Sequence, residues 1–250
     1  MCSYYAELYS EMHAALIIPA LNEAECLPSL FDAIPPDLFR WIIVADNGST
    51  DGTATVALGR GAIVVSEPER GYGAASLAAI AALPEGAEIV VWMQADLSED
   101  PREAVRLLAP IREGMADLVI GSRTMGGAEA GALLPHQEFG NWLACTLMRL
   151  FWGYRYTDLG AFRAVRRDCL ERMAMRDRNY GWTVEMQIKA LQMGLRVREV
   201  SVRYGRRVAG ENKVSGNLRA SAKAGLIILR TVFRAAWAGG GRPPGGNAVS

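Results

Sequence analysis

Four short apolar runs in the first half of the chain each lead straight into a polar, glycine-rich or acidic loop. The runs span residues 16–18, 41–45, 62–65 and 89–93. Strands of this kind, separated by segments typical of helices, predict a parallel sheet with helices on both faces. Ligands of such sheets bind in the crevice at the carboxyl ends of the strands. The four loops therefore predict an enzyme or a nucleotide-binding protein whose site lies at that edge.

The rest of the chain repeats the alternation of strands and helices. Further strands are predicted at residues 117–120, 161–165 and 197–204, and helices at 54–58, 73–83, 138–151 and 182–193. We therefore predict an α/β fold with a doubly wound, mostly parallel sheet flanked by helices. No domain boundary stands out, so the second half is expected to extend the same sheet.

The composition indicates a globular protein of a reducing compartment. Half of the 250 residues are hydrophobic, enough for the core of one large domain. The four cysteines have no paired spacing and there are only two histidines, which argues against a disulfide framework or a structural zinc site. The first residues lack the pattern of a signal peptide. We expect a cytoplasmic location, at the inner face of the membrane.

The charge of the chain is balanced overall but uneven along its length. Residues 196–250 contain 11 Lys and Arg against 2 Glu, whereas residues 1–195 contain 16 Lys and Arg against 25 acidic residues. This asymmetry predicts an anionic partner at the C-terminal end. The alternative is an arginine-rich surface that is simply solvated. We expect no nucleic acid among the partners.

Six segments of the chain form a combination that is specific when taken together. They are Pro-Ala-Leu-Asn-Glu at 19–23, Asp-Asn-Gly-Ser-Thr-Asp-Gly at 46–52, Asp96, Gly-Ser-Arg at 121–123, Thr-Asp-Leu-Gly-Ala-Phe-Arg at 157–163 and Gly-Glu-Asn-Lys at 210–213. The combination resembles the family 2 glycosyltransferases of the GT-A fold, and among them the dolichyl-phosphate mannosyltransferase-like members. The resemblance implies a GT-A glycosyltransferase domain at 14–216. We expect an amphipathic helix at 217–237 and a disordered tail at 238–250.

For the donor, the resemblance implies a nucleoside diphosphate sugar held by the loops at the strand ends. The implied donor-binding residues are Pro19, Leu21, Asn22, Glu23, Asp46, Gly48, Arg70, Gln94, Ala95, Asp96 and Lys213. Lys213 lies in a segment that resembles the family's loop over the donor diphosphate. Plainer alternatives are Asn22 as a helix N-cap, Gly48 in an ordinary turn, and Lys213 in a solvated basic loop.

The expected cofactor is Mg²⁺ or Mn²⁺, because a divalent ion neutralises the diphosphate leaving group. Asp96 matches the second aspartate of the family's metal-binding Asp-x-Asp and is the expected ligand. Gln94 stands where the family has the first aspartate, so the metal affinity is expected to be lower. Two alternatives stay open: Asp96 as a turn residue before Pro101, and Gln94 as a hydrogen-bond partner of the donor sugar or ribose.

For the acceptor, the resemblance implies a polyprenyl phosphate whose charge is held by Arg123 and Arg163. The hexose would be transferred in a single displacement with inversion at the anomeric carbon. A phosphate acceptor needs no base, whereas a hydroxyl acceptor needs a carboxylate within hydrogen-bond reach, for which Asp158 is the first candidate. Glu185, in a predicted helix, is the second. The plainer alternative makes both arginines surface residues paired with nearby acids.

Two other functions fit part of the pattern. Gly71, Gly73 and Ser76 form an incomplete GxGxxG, and Asp96 follows about 20 residues later, as in a nicotinamide-dependent dehydrogenase. The missing third glycine and the position after the third strand argue against that class. A nucleotide-sugar binder that has lost its activity through Gln94 is the other alternative.

The predicted C-terminal helix carries a narrow basic stripe. Arg219, Lys223, Arg230 and Arg234 fall within an arc of about 60° when each residue turns the helix by about 100°. Most of the remaining positions are apolar, which is typical of a helix that lies in a membrane interface. The alternative is a helix that packs on the sheet and leaves its stripe in water. No uncharged run is long enough to span a bilayer.

Overall fold

The structure is a computed structural model and describes residues 13–207 and 218–238. Lys213 and the other residues of 208–217 lie outside the described residues, as do residues 239–250 of the predicted tail. The described strands form one seven-stranded sheet. They are β1 (Ala14–Ala20), β2 (Trp41–Asp46), β3 (Ile63–Ser66), β4 (Ile89–Trp92), β5 (Leu118–Ser122), β6 (Arg163–Arg166) and β7 (Val197–Ser201).

Helices cover both faces of this sheet. Those of the described residues are α1 (Leu27–Ala33), α2 (Thr53–Gly59), α3 (Tyr72–Ala81), α4 (Ala104–Arg112), α5 (Pro135–Trp152), α6 (Arg167–Met173), α7 (Trp182–Gln192) and α8 (Leu218–Trp237). A short 3-10 turn, Pro101–Glu103, precedes α4. The Asp100 side chain caps this turn by accepting a hydrogen bond from the Arg102 backbone N–H at 3.0 Å.

The sheet order is β3–β2–β1–β4–β6–β5–β7. Strands β3, β2, β1 and β4 are mutually parallel, β6 is antiparallel to both of its neighbours, and β7 is parallel to β5. The predicted doubly wound, mostly parallel sheet is thus confirmed, with one reversed strand that the apolar pattern did not indicate. Because β1 lies between β2 and β4, the loops that follow these three strands meet at one edge.

The side chains of β1 alternate between two cores, one on each face of the sheet. Leu16 and Ile18 pack in one core with α1 and α4, whereas Ile17 packs in the other with Trp92 and Trp182. All of these side chains are fully buried. A buried aliphatic side chain of this size contributes about 1.5–3 kcal/mol to stability. Burial on both faces explains why the strands are continuous apolar runs rather than alternating patterns.

Three local features differ from the expectation. Helix α1 begins at Leu27, several residues after β1, because the intervening loop turns at Asn22, whose φ is 50°. Helix α6 follows β6 directly and was not predicted. Strand β7 ends at Ser201, although Tyr204 still forms isolated bridges with Glu99 and Ala128.

Helix α8 packs against α5 and α7. Its Ala224 and Val232 are buried, and the Phe233 ring lies 5.9 Å from the Phe151 ring of α5. None of the helices that the structure describes combines the length and the hydropathy needed to cross a bilayer. Helix α8 therefore packs on two other helices, whereas one alternative expected it to pack on the sheet, and its outer face is considered below.

Candidate active site

The carboxyl ends of β1, β2 and β4 open onto a cavity of about 970 Å³. Its polar wall comes from the loops after these strands and from the segment that follows β7. The polar side chains of that wall are Glu23, Asn47, Arg70, Gln94, Asp96, Arg123, Tyr204 and Arg207, and the same loops add the apolar Pro19, Leu21 and Ala95. The opposite wall comes from α5 and α8. The structure therefore brings together seven of the eleven residues implied for the donor.

Asn22, Asp46 and Gly48 shape the loops but are not among the described residues that line the cavity. The Asn22 side chain accepts a hydrogen bond from the Thr50 backbone N–H at 2.8 Å, and its own N–H donates to the Ser49 hydroxyl at 2.9 Å. The Asp46 carboxylate accepts from the Ser49 N–H at 3.0 Å. Asn22 therefore ties the first two loops together and does not cap α1, whose N-cap is Cys26.

Asn47 is a cavity residue that the sequence analysis did not single out. Its amide group donates to the Glu67 and Glu69 carbonyl oxygens at 3.0 and 2.6 Å, and its side-chain oxygen accepts from the Gly71 N–H at 2.8 Å. These bonds hold the loop after β3 against the end of β2. The sequence feature that could have indicated Asn47 as a cavity residue was its polar side chain directly after a buried strand.

The glycines after β3 make room for protein backbone. A Cβ on Gly71 would lie 2.1 Å from the Arg178 carbonyl oxygen, and one on Gly73 would lie 2.0 Å from the Asp177 carbonyl oxygen. The loop is held there by Arg178, which pairs with Glu67 and Glu69. The glycines are thus explained by packing, which leaves the dehydrogenase alternative without support.

Two acidic side chains of the polar wall converge on one guanidinium. The Asp96 Oδ2 lies 3.4 Å from the Arg207 Nη1, and Glu23 pairs with the Nη2 of the same arginine. The other Asp96 oxygen accepts hydrogen bonds from the Ser98 N–H and hydroxyl at 3.0 and 2.5 Å. Glu23 and Asp96 therefore face a common position where a cation is held.

This donor set fits a weakly held divalent ion. Carboxylate oxygens from Glu23 and Asp96 are the hard ligands that Mg²⁺ and Mn²⁺ prefer, and Gln94 adds a neutral amide oxygen on the same wall. Among the described residues there is no cluster of three or more His, Cys, Asp or Glu that could hold a metal by itself. An ion here would need the phosphates of a bound ligand to complete its coordination.

Glu99 supports the loop that carries Gln94 and Asp96, and the sequence analysis did not identify it. Its carboxyl accepts a hydrogen bond from the Gln94 N–H at 2.8 Å, is 1 % exposed, and leaves its other oxygen without a partner in the described structure. Burial raises the pKa of Glu99 to about 8. Nothing in the sequence distinguishes it from its neighbour Asp100, whose role is the cap described above.

Arg123 and Asp158 form a buried, bidentate pair. Asp158 accepts from the Arg123 Nε and Nη2 at 2.8 and 2.7 Å and from the Arg123 and Leu159 backbone N–H groups at 2.8 and 2.7 Å. The Arg123 guanidinium also lies over the Tyr204 ring, 5.2 Å from its centroid. Arg123 lines the cavity and Asp158 does not. The Nη1 of Arg123 has no hydrogen-bond partner among the described residues.

The role of Asp158 as a base for a hydroxyl acceptor does not fit this geometry. Its carboxylate is fully buried, and both of its oxygens already accept hydrogen bonds from N–H donors. A base must reach the proton that it removes. The structure corrects the expectation: Asp158 orients Arg123.

Arg163 also departs from its expected role as a phosphate ligand. The side chain is fully buried, and its guanidinium donates to the Gly160 and Thr183 carbonyl oxygens, the latter at 2.9 Å. Burial lowers the pKa of Arg163 to about 10. Because it lies on β6 facing the interior, Arg163 fixes the backbone around the 157–163 segment and does not reach the cavity.

Glu185 and Glu199 are structural acids near the same region. Glu185 accepts from the Arg176 and Asp177 N–H groups, which excludes the free carboxylate that a base requires. Glu199, on β7, accepts from the Thr157 N–H at 2.9 Å and from the Asp158 N–H at 3.1 Å. Glu199 thereby holds the backbone that presents Asp158 to Arg123.

The wall opposite the polar loops is largely apolar. Helices α5 and α8 contribute Phe139, Leu143, Leu226, Ile228 and Leu229 to it. His136 of α5 also lines the cavity and lies 3.2 Å from the Ser221 hydroxyl of α8. The cavity therefore combines a polar wall, which carries Glu23, Asp96 and several arginines, with an aliphatic and aromatic wall opposite it.

Comparisons with known proteins agree with this arrangement. The family model described as Glycosyl transferase family 2 matches residues 15–179. An uncharacterised glycosyltransferase of Mycobacterium tuberculosis is 39% identical over 218 residues, which cover 87% of this chain and 96% of the relative. The undecaprenyl-phosphate mannosyltransferase of Micrococcus luteus is 32% identical over 243 residues, which cover 91% and 97% of the two chains. The polyprenol monophosphomannose synthase of Mycolicibacterium smegmatis is 32% identical over 81% of each chain.

Solved structures support the same fold. Glucosyl-3-phosphoglycerate synthase from Mycobacterium tuberculosis, crystallised with Mn²⁺, uridine diphosphate and phosphoglyceric acid, superposes with a TM-score of 0.74 at 22% identity. The superposition covers 94% of this chain and 82% of that one. At this identity the likeness concerns the fold.

Proposed function

This chain belongs to glycosyl transferase family 2, and we propose that it moves a hexose from a nucleoside diphosphate sugar to a polyprenyl phosphate. It is a hexosyltransferase of the GT-A fold. The observation that carries the proposal is a cavity whose lining joins the strand-end loops to an apolar wall. A water-soluble nucleotide sugar suits the first surface, and an isoprenoid chain suits the second.

The donor end of the cavity offers groups for a nucleotide. Pro19 and Leu21 give an apolar edge. The Arg70 guanidinium lies beside Gly48, where a Cβ would be 3.6 Å from the Arg70 Nε, an ordinary contact, and the φ of 73° is what favours glycine at this turn. We assign the base and ribose to this region. Glu23 and Asp96 would hold Mg²⁺ or Mn²⁺ beside the diphosphate. When bound, the ion would neutralise negative charge on the leaving group.

The acceptor end is organised by Arg123. Asp158 uses the Nε and Nη2 edge of its guanidinium, so the Nη1 side is left for a phosphate oxygen. The phosphate oxygen attacks the anomeric carbon, a new C–O bond forms as the bond to the diphosphate breaks, and the nucleoside diphosphate leaves. An anionic phosphate needs no base, which agrees with an Asp158 carboxylate that has no access to the cavity.

The relatives support the acceptor class in this proposal. Two of them are named an undecaprenyl-phosphate mannosyltransferase and a polyprenol monophosphomannose synthase. Both carry a polyprenyl acceptor in their names, and both align with four fifths or more of this chain. Mannose is accordingly the first sugar to test.

The outer face of α8 supports a peripheral contact with a membrane. Its exposed side chains are the basic Arg230 and Arg234 with the apolar Phe233 and Trp237, and also Lys223 and Leu226, which are exposed and line the cavity as well. Helix α5 adds exposed Trp142 and Leu150, and Phe139, which is exposed and also lines the cavity. Mixed aromatic and basic faces of this kind suit the surface of an anionic bilayer. We propose that the exposed faces of α5 and α8 dock there, with α5 as part of the transferase domain expected at residues 14–216 and α8 as the helix that follows it.

A transfer assay with paired acceptors tests the proposed function. Purified protein is given radiolabelled GDP-mannose, UDP-glucose or other nucleotide sugars, with undecaprenyl phosphate or with undecaprenol of the same chain length. We expect label in the lipid extract only with the phosphate, and an anomeric configuration in the product opposite to that of the donor. Transfer to the alcohol instead of the phosphate would overturn the acceptor assignment.

A further inference from the structure

Arg207 lies across the cation position of the proposed donor site. Its guanidinium pairs with Glu23, which follows β1, and with Asp96, which follows the neighbouring strand β4. The exposed fractions of the three side chains are 16 %, 8 % and 12 % for Arg207, Glu23 and Asp96. These three groups are therefore largely removed from water.

Two carboxylates that face each other in such a place require a cation. Like charges in a poorly solvated site repel, and their charged forms persist only when a positive group lies between them. Among the described residues the Arg207 guanidinium is a positive group that contacts both carboxylates, and the charges of these three side chains sum to minus one. A divalent ion at the same position would bring the sum to zero without Arg207.

A carboxylate oxygen that binds a divalent ion cannot at the same time keep its close contact with the Arg207 guanidinium. A divalent ion binds carboxylate oxygens at about 2.0–2.6 Å. The Asp96 Oδ2 now lies 3.4 Å from the Arg207 Nη1, and the second Asp96 oxygen is used by Ser98. An ion that took Asp96 Oδ2 and Glu23 would therefore displace the guanidinium from between them.

We propose that Arg207 is a built-in competitor of the divalent ion, and that it holds the position between Glu23 and Asp96 until the metal replaces it. This inference rests on the proposed donor site. Its consequence is that the donor-free protein binds metal more weakly than its two carboxylates would by themselves. Occupancy of the position by Arg207 reduces the apparent affinity in proportion to the fraction of protein in which the site is open.

Binding of Mn²⁺ alone to the donor-free protein tests the competition. Free Mn²⁺ is measured by its electron paramagnetic resonance signal during titration of wild type, Arg207→Ala and Arg206→Ala. Arg206 is the matched control because it lies one residue away and donates to the Ala130 carbonyl oxygen. We expect Arg207→Ala to bind Mn²⁺ about tenfold more tightly than wild type, and Arg206→Ala to stay within about twofold. Glu23→Gln and Asp96→Asn should both weaken binding.

Free guanidinium ion, added in place of the missing Arg207 side chain, separates the competition from other effects of the mutation. Millimolar guanidinium ion should weaken Mn²⁺ binding to Arg207→Ala and leave that to wild type unchanged, because only the variant has space for it. Equal Mn²⁺ affinities in wild type and Arg207→Ala, or equal increases in the Arg206 and Arg207 variants, would overturn the proposal. Weaker binding in Arg207→Ala would show that Arg207 supports the ion.

The metal titration tests the competition by Arg207, and the transfer assay tests the proposed function. A negative result in one does not imply a negative result in the other. Mn²⁺ binding to the donor-free protein involves no sugar and no lipid. The titration can therefore be interpreted even if the proposed acceptor is wrong. Conversely, a protein that transfers mannose to undecaprenyl phosphate while its Arg207→Ala variant binds Mn²⁺ like wild type would keep the proposed function and lose the competition.

Discussion

The Asp158 carboxylate holds Arg123 at three points, the backbone N–H and the Nε at 2.8 Å and the Nη2 at 2.7 Å. The side chain of Asp158 is fully buried and that of Arg123 is 16 % exposed. Arg123 therefore enters the cavity in one fixed orientation, with its remaining edge toward the proposed acceptor. An arginine fixed in advance loses less entropy when it binds a phosphate.

Loss of Arg123 should damage turnover more than loss of the Asp158 charge. Arg123→Ala removes a charge-assisted contact to the acceptor phosphate, which is expected to cost about tenfold to a hundredfold in kcat/KM. Asp158→Asn keeps the shape of the side chain and one acceptor oxygen for Arg123, so its effect should be smaller. Steady-state kinetics with a polyprenyl phosphate compare the two variants. A far more damaged Asp158→Asn, with the acidic limb of its pH profile gone, would identify Asp158 as a base.

The buried Arg123–Asp158 pair should contribute more to the free energy of unfolding than an exposed ion pair does. Breaking a buried ion pair costs about 3–5 kcal/mol in the free energy of unfolding, because a charge is left uncompensated. We expect Asp158→Asn to approach that range in urea denaturation. The control is Asp168→Asn at the pair with Arg166, where the two side chains are 55 % and 45 % exposed and the expected cost is below about 1 kcal/mol. Similar losses for both variants would contradict the burial argument.

Glu99 should make the protein less stable as the pH rises. Its pKa in the folded protein is about 8 against 4.5 for an ordinary glutamate, so between these values the folded state keeps a proton that the unfolded state has lost. Stability therefore falls across this window, by at most about 1.4 kcal/mol per pH unit. Glu99→Gln should match wild type near pH 4.5 and exceed it increasingly toward pH 8. Urea unfolding at several pH values measures this, and parallel stability curves would show that Glu99 does not keep its proton.

A carboxylate at position 94 should strengthen the metal site. Gln94 lines the cavity beside Asp96, and Gln94→Asp would add a negative charge and a hard ligand there. We expect tighter Mn²⁺ binding in calorimetry, and loss of metal-dependent nucleotide binding in Asp96→Ala. Gln94→Asn serves as the control for side-chain length without charge. Unchanged or weaker Mn²⁺ binding in Gln94→Asp would show that residue 94 does not face the ion.

The outer face of α8 should bind anionic vesicles. Near such a surface each basic residue contributes up to about 1 kcal/mol, so changing Lys223, Arg230 and Arg234 to Gln should release the protein in co-sedimentation. A control of equal charge replaces the exposed Arg60, Arg102 and Arg166, which lie outside α5 and α8. Equal binding to neutral and anionic vesicles, or equal loss in both variants, would leave α8 as a packed helix with a solvated stripe.

The apolar runs at 16–18, 41–45 and 89–93 were sufficient to predict the central sheet and the position of its site. A strand buried on both faces needs an unbroken apolar sequence, and parallel strands bring their carboxyl ends together. Pro19, Leu21, Glu23 and the 94–96 loop therefore line the cavity as expected. The reversed strand β6 was not predictable, because the long connection through α5 allows either direction.

What residue types alone could not determine was the direction of each charged side chain. Asp158 and Arg163 carry the charges that the family resemblance suggested, yet both are fully buried and satisfied by protein groups. Their partners were not evident from the sequence: Arg123 lies 35 residues from Asp158, and Arg207 lies 184 residues from Glu23. The order of residues establishes which charges exist and which edge of the sheet they reach. Which charges neutralise one another and which face the cavity depends on tertiary packing, because packing sets the distances between charged groups and the energy of an ion pair falls steeply with distance.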